Sequence, residues 1–116
     1  KAAQRGEPRV PISLPVDFNV GEVSSTGYLL NISEAGLFLH TRKTFFPGTN
    51  LHMRFMIPGS NRLLDIKGIV KWCTQMSGEK SLFGGAGIQF AHPAPDDQKI
   101  IREFVQTELK KMGLEE

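Results

Sequence analysis

Five residues in two short clusters have the types and spacing to do chemistry. Arg5 and Arg9 stand four apart in Arg5-Gly6-Glu7-Pro8-Arg9, and Asn31, Ser33 and Gly36 share the polar turn Asn31-Ile32-Ser33-Glu34-Ala35-Gly36 between two apolar runs. A guanidinium is a planar fork of donors that matches a guanine edge or a phosphate. An Asn/Ser/Gly turn offers side-chain and backbone hydrogen bonds, and its glycine lets a ligand lie close to the main chain. Gly6 and Pro8 oppose a helix. In an extended segment the two arginines face the same way, about 13 Å apart, and a bend at Gly6 brings them closer. Either arrangement reaches two parts of one dinucleotide, so the clusters together suggest a receptor for a guanine nucleotide that carries phosphates.

Each cluster alone has a plainer explanation. An isolated arginine pair on a polar terminus is usually just solvated, and an Asn-x-Ser at a strand end can simply close its turn with side-chain-to-backbone bonds. What separates these explanations is the framework that positions the clusters. Residues 1–8 are polar, without an apolar anchor, and read as a flexible lead-in. Val10, Ile12, Leu14, Val16, Phe18 and Val20 then alternate with Pro11, Ser13, Pro15, Asp17 and Asn19, the period of a strand with one buried face. Its two prolines require an edge or bulges.

Residues 21–26 read as a turn. Residues 27–32 and 37–41 read as strands joined by Ser33-Glu34-Ala35-Gly36, with Gly36 expected at positive φ. Pro47-Gly48 and Pro58-Gly59 bracket a fourth strand that buries Leu51, Met53, Phe55 and Ile57. A fifth covers residues 63–74, with Leu64, Ile66, Val70 and Trp72 on one side, and a sixth covers 85–90, with Ala86, Ile88 and Phe90 inward. The tail changes period: Ile100, Ile101, Phe104, Val105, Leu109 and Met112 form a helical stripe over about 95–112. Asp96 and Asp97 suit its start, Lys110 and Lys111 its end, and Gly113 its stop. The expected fold is therefore dominated by β-structure: a six-stranded antiparallel barrel over residues 9–116 with one C-terminal helix, closed so that few edges are exposed.

Composition narrows the function. The 116 residues make one domain, 40% hydrophobic and 22% charged, with a net charge of +2. That balance disfavours binding to a nucleic acid polymer through bulk charge. No apolar run approaches the roughly 20 residues that span a bilayer. One cysteine, Cys73, excludes an internal disulfide and fits a reducing, cytoplasmic setting. His40, His52 and His92 lack metal-ligand spacing with Cys73, and no carboxylate pair or nucleophile–base set indicates an enzyme. Arg42 and Lys43 form a small basic pair after the third strand, solvated or open to a partner.

The two clusters, in this order and in this β-framework, resemble the PilZ domain family of bacterial receptors for cyclic di-GMP. Its pattern, Arg-x-x-x-Arg followed by Asp/Asn-x-Ser-x-x-Gly, falls on Arg5, Arg9, Asn31, Ser33 and Gly36. The resemblance extends to Gly68-Ile69-Val70-Lys71-Trp72, to Gly87-Ile88-Gln89-Phe90 and to the terminal helix. It implies a six-stranded PilZ-like split barrel and a non-enzymatic, cytoplasmic second-messenger receptor with no cofactor beyond the ligand cyclic di-GMP. It also implies a protein partner or fused domain, no nucleic acid polymer and no membrane insertion. Arg5 and Arg9 would contact guanine and phosphate, and Asn31 and Ser33 a base edge or phosphate. Trp72 would stack on a base or wall the site, unless it is one more inward aromatic. Gln4 would touch a second ligand molecule. Ligand binding would order the N-terminal arm and so signal to a partner or neighbouring domain. The alternatives are a PilZ-like interaction domain that binds no nucleotide and a small barrel for single-stranded nucleic acid.

Overall fold

In the computed structural model, which describes residues 8–74 and 84–113, the chain forms six strands and a helix: β1 (Val10–Val20), β2 (Val23–Ile32), β3 (Gly36–His40), β4 (Asn50–Met56), β5 (Leu63–Cys73), β6 (Gly85–Phe90) and α1 (Pro95–Lys111). Every strand pairing is antiparallel, and the order β1-β2-β3-β6-β5-β4 closes into a barrel through β1 and β4. Closure gives every strand two neighbours, the seam between β1 and β4 running over Asp17–Asn19. Along β1, Val10, Leu14, Val16 and Phe18 face the interior, as the alternation requires, and Leu51, Met53, Phe55 and Ile57 do so from β4 and its end. Burying each such side chain contributes about 1.5–3 kcal/mol.

The turns are set by their residues. Gly48 (φ 93) and Gly59 (φ 87) each come directly after a proline, and Thr49 N and Ser60 N close these turns on Phe46 O and Ile57 O at 3.1 and 3.0 Å. Proline supplies the negative φ of the first turn position and glycine the positive φ of the second. The turn expected over 21–26 is confined to Gly21-Glu22: Val20 pairs with Val23, so Val23 to Thr26 belong to β2. Gly21 (φ 58) permits that two-residue hairpin.

Helix α1 packs Ile101, Val105 and Leu109 onto the barrel, with Ile100 and Phe104 partly buried beside them. Met112, expected in this stripe, is 41% exposed because the helix ends at Lys111 and Gly113 (φ 73) reverses the chain. Asp97 does more than complement the helix dipole. It is buried and accepts a hydrogen bond from Arg62 Nε at 2.7 Å, which pins the start of α1 to the β4–β5 turn. Phe45, on the β3–β4 connection, packs edge-on against Phe18 with ring centroids 5.9 Å apart.

Candidate functional site

The pairing of β1 with β2 sets the first contact. Val10 lies opposite Ile32 and Pro11 opposite Asn31, so Arg9, one residue before β1, stands beside the start of the β2–β3 turn. From there Arg9 Nη1 donates to Asn31 Oδ1 at 2.7 Å. Asn31 reaches it because β2 is bulged. Leu29 pairs with Leu39 and Asn31 with Phe38, leaving Leu30 as the extra residue. Strict alternation from inward-facing Leu29 would turn Asn31 into the core; the bulge turns it outward.

Ser33 and Gly36 build the turn itself. Ser33 is buried, and its Oγ accepts from the amides of Ala35 and Gly36, both at 3.2 Å, and donates to Gly36 O at 3.3 Å. Ser33 N donates to Gly36 O at 2.8 Å. Gly36 does not have the positive φ expected of it. Its role is space: a Cβ there would lie 2.0 Å from Ile88 O on the paired strand β6. Only glycine allows so close an approach of β3 to β6.

Beside this turn is a recess of about 220 Å³, lined by Arg9, Ser33, Gly36, Lys71, Trp72 and Gln89, with Ala35, Gly87 and Ile88 completing its surface. Trp72 is outward and 49% exposed, contrary to its expected place with Val70 on the inner face of β5. The cause is again a bulge: Val70 pairs with Ile88 and Trp72 with Gly87, so Lys71 is the extra residue and Lys71 and Trp72 are both exposed. The indole lies over Gly87, where a Cβ would meet Nε1 at 2.3 Å, and stacks on Phe38 at 5.5 Å and 29°. It forms a fixed wall.

Among the described residues, Arg9 and Lys71 are the charged groups of the recess, and no carboxylate lines it. Glu34, within the turn, instead faces Arg102 of α1 at 3.7 Å. The site thus offers guanidinium and ammonium donors, an amide at Gln89 and an aromatic wall, the equipment to hold a phosphate and a flat base. Its volume is below the roughly 300–1,000 Å³ of sites that enclose a small molecule, so it suits one part of a larger ligand. Among the described residues no group of His, Cys, Asp and Glu could hold a metal ion. Arg5 and Gln4 lie outside the described residues, as does all of the 1–8 lead-in except Pro8. Lys71 and Gln89 lie in stretches that carry the family resemblance, but nothing in the sequence marks them as site residues: Gln89 is an ordinary outward strand position, and Lys71 joins the recess through a bulge the pattern does not signal.

The sequence model of the PilZ domain matches residues 3–107. No curated protein matches the chain significantly. Among solved structures, the inhibitor of motility MotI/DgrA of Bacillus subtilis superposes with a TM-score of 0.74 at 18% identity, over 95% of this chain and 52% of that one. The MrkH–c-di-GMP complex of K. pneumonia gives 0.73 at 14% identity, over 97% and 55%. The PilZ domain of YcgR from Escherichia coli, with c-di-GMP, gives 0.71 at 7% identity, over 95% of both chains. The chain spans about half the length of MotI and MrkH. At these identities the likeness concerns the fold, a closed barrel with one terminal helix.

Proposed function

The chain belongs to the PilZ domain family, and from that premise we propose that it is a receptor for cyclic di-GMP. The observation that carries this reading is the 2.7 Å hydrogen bond from Arg9 to Asn31, which joins the two halves of the family motif beside a cationic recess walled by Trp72. The structures of MrkH and YcgR, described as carrying c-di-GMP, support it. In the proposed complex Arg9 and Arg5 take guanine and phosphate groups, Lys71 adds charge against the phosphates, and one base enters the recess along Trp72. Gly36 keeps the strand backbone low enough for this approach. Asn31, already bonded to Arg9, aims that guanidinium and contributes its amide N–H groups. Gln4 sits next to Arg5 in sequence and is the candidate contact for a second ligand molecule.

The signalling step is a consequence of where the arginines sit. Arg5 and Arg9 precede the barrel, so a ligand held by both ties the chain leading into β1 to the barrel wall. That fixes the direction of anything joined to the N-terminus and creates a new surface for a partner. Binding is therefore expected to slow amide hydrogen exchange in residues 1–9 far more than in β4 or β5. Arg9→Ala should weaken binding about 5- to 150-fold, equivalent to about 1–3 kcal/mol. Unaltered affinity in that variant and in Arg5→Ala, by titration calorimetry, would leave the reading without its site and favour an interaction domain that binds no nucleotide.

A further inference from the structure

The β2–β3 hairpin carries a second recess at its other end. The first gathers where the hairpin turns, at Ser33–Gly36. At the open end Tyr28 pairs with His40, and the chain leaves β3 through Thr41-Arg42-Lys43. A recess of about 360 Å³ lies there, lined by Ser25, Thr26, Tyr28, His40, Arg42 and Lys43, with Gly27 and Thr41. Its charge is one-sided: two permanent cations, a histidine and several hydroxyls, with no carboxylate in the lining among the described residues. Arg42 and Lys43 join no ion pair among the described residues, unlike Arg62, Arg102 and Lys111, so both charges are open to a partner.

The recess is also held in shape. Thr41 is buried, its amide donates to Gly84 O at 3.3 Å, and its Oγ1 accepts the amide of Lys43 at 3.1 Å. This fixes the backbone that carries both cations. His40 Nδ1 lies 2.8 Å from Gly84 O. A ring nitrogen facing a carbonyl must carry the proton, so Nε2 is left for another partner. Tyr28, 51% exposed, adds a rigid aromatic surface. An arginine beside an exposed tyrosine is a combination that protein-recognition surfaces favour, and a backbone already tied in place lowers the entropy cost of docking.

We propose that this recess docks an acidic segment of a partner protein, its carboxylates meeting Arg42 and Lys43 and an apolar side chain lying on Tyr28. Concavity favours side chains over a flat lipid surface. Two cations are few against a nucleic acid, whose binding scales with the number of phosphates neutralised. Docking here is separate from nucleotide binding, since none of these residues belongs to the Arg9–Asn31 cluster.

The test is an NMR titration of the isotope-labelled chain with a short synthetic peptide of glutamates around one phenylalanine. A matched peptide with lysines for glutamates, phosphatidylglycerol vesicles and single-stranded RNA run alongside. The glutamate peptide is expected to shift the amides of Gly27, Tyr28 and His40 to Lys43. In Arg42→Glu/Lys43→Glu, whose spectrum should remain that of a folded barrel because both positions are exposed, the apparent affinity should fall tenfold or more. No shift at these amides, equal shifts with the lysine peptide, shifts that survive the double substitution, or a stronger response to vesicles or RNA would each overturn the proposal.

Discussion

At Gly36 the amino-acid type was right and its reason was hidden. A polar turn between strands suggests a glycine at positive φ, but the constraint is the 2.0 Å a Cβ would leave to Ile88 O. That distance depends on β6, some fifty residues away in sequence, and local pattern does not contain it. The distinction has a consequence. Gly36→Ala should push β3 off β6 and cost about 1–3 kcal/mol or more by overpacking, read as a lower denaturant midpoint. A residue excused only by backbone freedom would leave the β3–β6 amide pairing intact. Ser33→Ala should also destabilise, by about 1 kcal/mol per lost hydrogen bond, because Oγ closes the turn through Ala35 N and Gly36 N. Arg9 and Asn31 were legible as a motif. Their mutual bond was not, because it depends on the pairing of Pro11 with Asn31.

Elements were legible where their period was unbroken. The alternation of β1 and β4 and the helical stripe of α1 as far as Leu109 read directly into burial, since each residue's face is set by its neighbours two or three to four positions away. Bulges defeat that logic. The extra residues Leu30 in β2 and Lys71 in β5 invert the facing of their C-terminal neighbours, and so bring Asn31 and Trp72 to the outer surface where the candidate site lies. Helix α1 depends on packing: Ile101→Ala should cost about 2–5 kcal/mol of unfolding free energy, measured by denaturant titration. Its anchor behaves differently with pH. The hydrogen bond and charge of Asp97 hold the Arg62 pKa above its ordinary value. A cation so raised gives a stabilisation that is complete below its unfolded-state pKa and is lost only as pH climbs through the folded value. Arg62→Gln should therefore lower the thermal midpoint by a similar amount at neutral and mildly alkaline pH. A deficit that vanished on moving between those pH values would contradict the assignment.

At the scale of the whole molecule, β1 and β4 close the barrel, and both recesses occupy ends of one hairpin on its wall. The proposed division of labour is that the turn end receives a nucleotide together with the chain entering β1, while the open end meets protein. No helix of the described residues is long and apolar enough to cross a membrane. The most direct measurement is calorimetric titration of the chain with cyclic di-GMP, with GTP and cyclic di-AMP as controls. Micromolar or tighter binding of cyclic di-GMP alone, weakened in Arg9→Ala, is the expected result, and the stoichiometry reports whether one ligand or two bind. No heat from cyclic di-GMP with the barrel folded, or equal binding of all three nucleotides, would contradict it.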